Sequence, residues 1–205
     1  MKLKQTFVAL RYLVSMGAVS LAFALVCFAQ QTAGTQNQGG QRASQPGPAK
    51  DWPADRLGGM IGEWTRAKNW TKEYIDKMPE DALSFKPTPE VRTFAEQMLH
   101  LAGGNFGYGA TLSGQPAPVK RADLTPDKFK TKAELSKVVL DSYDFLIAAL
   151  KGMSDEKLNE RLPSRGTNFT RAAQVNNAFE HQTHHRGQTT IYLRMKGVVP
   201  PPEPF

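Results

Sequence analysis

Cysteine is almost absent from the 205-residue chain, and its single instance, Cys27, lies near the N-terminus. A domain that begins after Cys27 has neither a disulfide nor a thiol nucleophile, which excludes cysteine-dependent catalysis. The sequence also has no basic stripe with interleaved aromatic residues, although its formal net charge is +7. Scattered charge of this kind is typical of a solvated surface, so we expect no nucleic-acid partner.

Residues 1–29 have the layout of a secretory signal peptide. Three basic side chains precede an uncharged apolar run, residues 12–29, which ends in small residues. This pattern predicts cleavage near Ala29 and export to the periplasm or the extracellular space. The run is also long enough to be an uncleaved membrane anchor, and Cys27 leaves a lipoprotein as a minor alternative. If the segment is not cleaved, we expect contact with the membrane only through it.

Residues 30–50 contain mainly Gln, Gly, Ser and Pro and almost no large apolar side chain. Such a segment cannot bury enough apolar surface to offset its chain entropy, so the composition predicts a flexible linker. The folded domain is therefore predicted to span residues 51–205.

The domain contains four segments with the three-and-four spacing of amphipathic helices. These segments lie near residues 57–78, 88–112, 132–152 and 170–196. Thr93 and Glu96 have the spacing of a capping box, and no stretch shows the alternation of a strand. Since none of the four helices can bury its apolar stripe alone, we predict an all-α fold, a four-helix bundle. Long connections at 113–131 and 154–169 leave room for a pocket or a crossover.

Three of the four histidines are crowded into the stretch EHQTHHRGQ, residues 180–188. His181 and His185 are four residues apart, so on a helix they share one face and can bind one metal ion. His184 points about 100° away from His185 and could replace one of this pair. The remaining histidine, His100, lies on the second helix, away from the centre of its apolar stripe. From the residues alone, a metal site and a group of hydrogen-bonded or surface histidines both remain open.

Small and polar residues accompany these histidines on both helices. Three glycines follow His100: Gly103, Gly104 and Gly107. They could let another helix or a ligand approach closely, or they could only permit tight helix packing. On the last helix, Asn177, Gln188 and Tyr192 lie near the face of His181. They could orient a ligand imidazole or contact a substrate, or they could be interior residues satisfied by their neighbours.

Two segments resemble signatures of the DinB/YfiT-like superfamily. LSFKPTPEVRTFAEQMLHLAGGNFGY, residues 83–108, is similar to the second helix of that family. HQTHHRGQTTIYLRMKGVVPP, residues 181–201, is similar to its C-terminal pattern His-x-x-x-His-Arg-Gly-Gln, and the order and separation also match. The resemblance covers about residues 51–203 and implies a four-helix bundle in which three histidines hold a divalent metal. Carried over residue by residue, the implied ligands are His100, His181 and His185.

Three neutral imidazoles suit Zn or Ni best, with Fe or Cu as alternatives. Three protein ligands leave at least one position open for a substrate, as a catalytic metal site requires. The residue after His181 is Gln182, so the H-E-x-x-H arrangement of zinc peptidases is absent and no general base can be assigned. Arg186 points to another side of the helix and is expected to pair with a carboxylate.

The resemblance implies a metal-dependent enzyme, either a hydrolase or a thiol-transferase-like protein, that acts on a small-molecule substrate. Export favours hydrolysis, since low-molecular-weight thiols are mainly cytoplasmic. One alternative is a non-catalytic metal- or ligand-binding bundle, which the missing general base favours. Another is a metal-free bundle that works through oligomerisation, and a homodimer is left open.

Overall fold

The computed structural model describes residues 55–164 and 167–204. Most of these residues lie in four long helices: α1 (Arg56–Lys77), α2 (Phe94–Ser113), α3 (Lys132–Lys151) and α4 (Arg171–Met195). The four predicted helices are confirmed. Helix α2 begins at Phe94, after the predicted capping residue Thr93, and the other helix ends lie within one residue of the prediction. The segments predicted to be a signal peptide and a linker lie outside the described residues. Among the described residues, no helix is long and apolar enough to cross a bilayer.

Local signals at the helix ends explain where the helices begin and stop. The Thr93 hydroxyl accepts the Glu96 N–H at 3.1 Å and the Glu96 carboxylate accepts the Thr93 N–H at 2.7 Å, which confirms the predicted capping box of α2. Thr131 and Glu134 form the same box at the start of α3. Gly197 has a φ of 72°, a left-handed conformation that glycine tolerates, and it follows the last residues of α4.

The helices pack as a bundle around an apolar core. Helix α2 contacts α3 and α4, while α1 contacts α3 and, less extensively, α4. The largest fully buried side chains are aromatic or long aliphatic ones, among them Trp64, Phe94, Met98, Phe106, Tyr143 and Leu146. Each helix contributes at least one buried apolar residue to this core, so burial of the four apolar faces holds the fold together.

A short antiparallel hairpin lies between α3 and α4, formed by β1 (Arg161–Ser164) and β2 (Thr167–Thr170). The expectation that the domain contains no strand is wrong for this segment. Each strand has only four residues, too few for an alternating pattern to stand out from a loop. Its last residue, Thr170, caps α4 by accepting the Ala173 N–H at 3.1 Å, so the hairpin fixes the start of the helix that carries three histidines.

The inward face of α4 is more polar than that of the other helices. Among the described residues, nine polar or charged side chains are buried, and five of them lie on this helix: Gln174, Gln182, His185, Arg186 and Thr189. Burying polar groups costs free energy unless they find partners. A core helix with this many polar residues therefore indicates a role beyond packing.

Arg186 illustrates how such a buried group is satisfied. Its guanidinium lies 4.2 Å from the centroid of the Trp70 ring and donates to the Gln182 side-chain oxygen at 2.8 Å. The same oxygen accepts the Tyr143 hydroxyl at 2.9 Å. The predicted carboxylate partner is wrong, because none of the ion pairs among the described residues involves Arg186. A π face and neutral oxygens take its place, and burial lowers the pKa of the guanidinium.

We expect Arg186→Ala to destabilise the domain by roughly 2–3 kcal/mol, because it opens a cavity beside Trp70 and removes a charged donor from a buried network. Urea unfolding followed by circular dichroism measures the change. Arg194→Ala, at an exposed position of the same helix, is the matched control and should cost less than about 1 kcal/mol. Equal losses in the two variants would contradict a structural role for the buried network.

Candidate metal centre

Helices α2 and α4 bring three imidazoles together. The ring centroid of His100 lies 5.3 Å from that of His181 and 4.4 Å from that of His185, and the last two are 4.5 Å apart. One ring nitrogen of each residue lies within 4.8 Å of the other two. A tetrahedral ion with imidazole ligands at 2.0–2.1 Å separates its nitrogens by roughly 3.4 Å, so small side-chain rotations can bring all three to one ion.

The helical positions explain why these three residues meet. His181 and His185 are one turn apart on α4 and face α2. His100 lies at the edge of the buried face of α2, as its position on the sequence predicts, and it is half-buried. That edge borders α4, whose His181 and His185 rings lie against His100, and a cavity that His100 lines. A residue there can touch the partner helix and remain accessible to a bound group.

A glycine makes room for one of the imidazoles. A Cβ placed on Gly104 would lie 3.2 Å from Nε2 of His181 and still closer to Cε1 and Nδ1 of the same ring. The His181 imidazole therefore occupies the space where an ordinary side chain would begin. A Cβ on Gly107 would meet no atom within 4 Å, so this glycine does not serve the same purpose. From the sequence, these glycines could serve either close approach or tight packing alone. In the structure, the His181 ring approaches closely at Gly104.

The site favours neutral imidazoles. Burial lowers the pKa of His185 to about 3 and that of His100 to about 4. The neighbouring imidazole of His181 and the guanidinium of Arg92 lower the pKa of both further, and Arg121 acts on His100. Both side chains are thus uncharged at pH 7 and carry a free lone pair. An uncharged imidazole is the form that binds a metal ion.

His184 lies apart from this group, although its ring is only 4.9 Å from that of His185. It is exposed, and its Nε2 lies 2.9 Å from the side-chain nitrogen of Gln188. Gln188, which the sequence suggested as a neighbour of the metal ligands, is also exposed and bonds to Gln97. The structure therefore brings Gln188 to the spare histidine and not to the three clustered ones.

The other two candidate neighbours lie at different depths. Asn177 lines the same cavity as His181, so it can contact a group bound there. Tyr192 is buried, its hydroxyl donates to the Arg92 carbonyl at 2.7 Å, and its ring packs against Phe94. Tyr192 is therefore a core residue whose hydroxyl is hydrogen-bonded to the backbone.

A cavity of about 540 Å³ opens onto His100 and His181. Its walls come from α2, α4, the hairpin and the connection between α2 and α3, which supplies Arg121. The sequence predicted room in the two long connections but did not single out Arg121, because no local pattern marks the point where a loop meets a helix distant in sequence. A larger cavity, about 820 Å³, lies between α1 and α4 and contains none of the three clustered histidines. We assign the site to the smaller cavity, since it contains candidate ligands.

The fold and the site together define a helical bundle with a candidate three-histidine metal centre between two of its helices. The family sequence model of the DinB superfamily matches residues 63–189, so this chain belongs to that superfamily. This match confirms the resemblance seen in the sequence.

Similar proteins support the fold. The uncharacterized protein YjoA of Bacillus subtilis (strain 168) is 24% identical over 144 residues, which cover 67% of this chain and 89% of YjoA. The crystal structure of this DinB-like protein has a TM-score of 0.58 at 21% identity and covers 70% of this chain and 95% of its own. A DinB-like protein from Bacillus cereus ATCC 10987 has a TM-score of 0.58 at 19% identity and covers 71% and 96%.

We expect Gly104→Ala to weaken zinc binding about tenfold, because the new methyl group displaces the His181 ring and metal–ligand distances tolerate only about 0.2 Å of change. Competition with a chromogenic zinc chelator measures the affinity. Gly107→Ala, on the same helix with open space around its Cβ, is the matched control and should keep the wild-type affinity. An unchanged affinity in Gly104→Ala would contradict the assignment of His181 as a ligand.

Proposed function

We propose that the domain binds one divalent transition metal through His100, His181 and His185 and acts as a metal-dependent enzyme on a small-molecule substrate. The observation that carries this proposal is the convergence of three imidazoles from two helices beside an open cavity. Three nitrogen ligands favour Zn or Ni, with Fe or Cu as alternatives, over the oxygen-preferring Mg and Ca.

The residues around the triad fit such an ion. Gly104 makes room for the ring of His181, and burial keeps His100 and His185 uncharged. A divalent cation held there would supply Lewis-acid chemistry to a substrate in the cavity. Tyr108, whose ring centroid lies 6.3 Å from that of His181, offers a phenolic proton to a bound group.

The class of reaction is proposed as hydrolysis or a thiol-transferase-like step. Among the described residues that line the cavity none is acidic, so the carboxylate base of zinc peptidases is missing. Gln182, which stands at the corresponding sequence position, is buried and bonded to Tyr143 and Arg186. The same observation favours the second candidate, a bundle that binds a metal or a ligand without catalysis.

Elemental analysis of protein purified without a histidine tag tests the metal. We expect about one equivalent of a transition metal per chain, as a three-ligand site predicts. The metal-loaded protein is then assayed against panels of esters, amides and thiol adducts. Turnover that disappears with a chelator and returns with metal supports the enzyme, and full metal content without turnover supports the binding protein. A folded protein that takes up no metal contradicts both.

Export through residues 1–29 is a further proposal that rests on the sequence, and the proposal of a homodimer stays open. Fractionation of cells that express the full chain, with intact-mass measurement, addresses the first. A product outside the cytoplasm that begins near residue 30 supports cleavage and export. A full-length product confined to the cytoplasm contradicts both cleavage and export.

A further inference from the structure

Among the described residues that line the cavity at His100 and His181, Arg121 is the one with a formal charge. Arg121 lies on its wall, and none of the described residues that line it is acidic. No carboxylate in the described part of the chain forms an ion pair with Arg121. The guanidinium lies 3.4 Å from Nδ1 of His100, at the limit of a hydrogen bond. On its other side Arg121 borders a second cavity whose lining includes Glu90 and Glu96, but neither carboxylate forms an ion pair with it. Its capacity to bind an anion is therefore largely unused.

The turn that contains Arg121 is held against α2. A Cβ on Gly103 would lie 3.7 Å from Cγ of Arg121 and 3.3 Å from Cδ1 of Leu124, so the turn packs closely over this glycine. The neighbouring carboxylate of Asp123 accepts a 2.5 Å bond from Lys128. Asp123 is thus engaged with Lys128, and Arg121 lines the cavity.

The rest of the wall offers apolar faces and an amide donor. Tyr108 and Phe169 both line the cavity, and Phe169 is 38% exposed although it is apolar. Gln174 is only 1% exposed, and its side-chain nitrogen has no hydrogen-bond partner among the described residues. A buried donor without a partner costs free energy that an acceptor on a ligand would recover.

We propose that this cavity binds a small molecule that carries a carboxylate on an apolar body, with the carboxylate paired to Arg121. The apolar body lies between Tyr108 and Phe169, and the reacting group points to the histidines. This inference rests on the proposed function, since it places a divalent cation among those histidines. Three neutral imidazoles leave the charge of that cation uncompensated, and Arg121 adds to it, so an anionic ligand is favoured over a neutral one.

The test compares 3-phenylpropionate with its neutral amide by calorimetric titration of the zinc-loaded protein. We expect the carboxylate to bind about tenfold more tightly than the amide. This factor is at the lower end of the range for charge-assisted hydrogen bonds, because Arg121 is exposed. In Arg121→Gln the preference should fall to less than about threefold. Lys120→Gln, which removes the same charge from an adjacent residue that does not line the cavity, should keep the wild-type preference.

Zinc content is measured in every sample, which separates the two levels of the proposal. A zinc-loaded wild-type protein that binds the acid no better than the amide overturns this inference and leaves the metal site standing. A carboxylate preference that survives Arg121→Gln also overturns it, because the anion is then bound by the metal alone. A wild-type protein that retains neither zinc nor Ni, Fe or Cu overturns the proposed function, and the carboxylate site falls with it.

Discussion

Replacing His185 by alanine is expected to weaken zinc binding more than about 100-fold, since the loss of groups that only orient a ligand already costs 10–100-fold. His185 is 7% exposed, the most deeply buried of the three clustered histidines, and its ring lies within 4.5 Å of both others. Its removal leaves two imidazoles, one on each helix. Two neutral nitrogen ligands cannot retain an ion against water and chelators as three can.

The adjacent residue supplies the control for this experiment. His184→Ala removes an imidazole one position away that is exposed and bonded to Gln188, so we expect the wild-type affinity within about threefold. Both variants are titrated against a chromogenic zinc chelator after their helical content has been checked. His100→Ala, at a half-buried position beside the cavity, should reproduce the loss with less disturbance of the core. Equal affinities in His184→Ala and His185→Ala would contradict the proposed ligand set.

The sequence predicts the elements that depend on local chemistry. The capping box of Thr93 and Glu96 is visible in the chain because both hydrogen bonds join residues three apart. The shared face of His181 and His185 follows from one turn of a helix. Their meeting with His100, by contrast, depends on how α2 and α4 pack. Helical spacing left that open, and the resemblance to the superfamily supplied it before the structure placed the rings together.

The features that the sequence missed depend on contacts between distant segments. From its position on α4, Arg186 was expected to pair with a carboxylate, but its guanidinium lies over the ring of Trp70 on α1 instead. Arg121 lies beside His100, and its turn packs over Gly103. Neither contact can be predicted from a stretch of a few neighbouring residues in the sequence. Arg186 nevertheless directly follows His185, one of the three clustered histidines, on a helix whose core-facing side is polar. That context could have led to the prediction that Arg186 is buried.

Saturating zinc is expected to raise the unfolding temperature of the domain by about 10 °C. A ligand that binds only the folded state stabilises it by about 4 kcal/mol at a thousand times its dissociation constant, and a domain of about 150 residues gains roughly 2–4 °C per kcal/mol. The ion would join α2 to α4, and His100 is far from His181 in the unfolded chain. Unfolding must therefore release the metal. Differential scanning calorimetry with and without a zinc excess measures the shift, and a chelator should reverse it.

The variants decide whether this shift originates at the three histidines. In His185→Ala the shift should fall below about 3 °C, because weak residual binding leaves little mass-action stabilisation at the same zinc concentration. In His184→Ala the full shift should remain. A shift of equal size in both would mean that zinc binds the folded chain at another place. A wild-type protein that carries one zinc and shows no shift would mean that the unfolded chain binds the ion as tightly. That outcome contradicts a site assembled by the packing of α2 against α4.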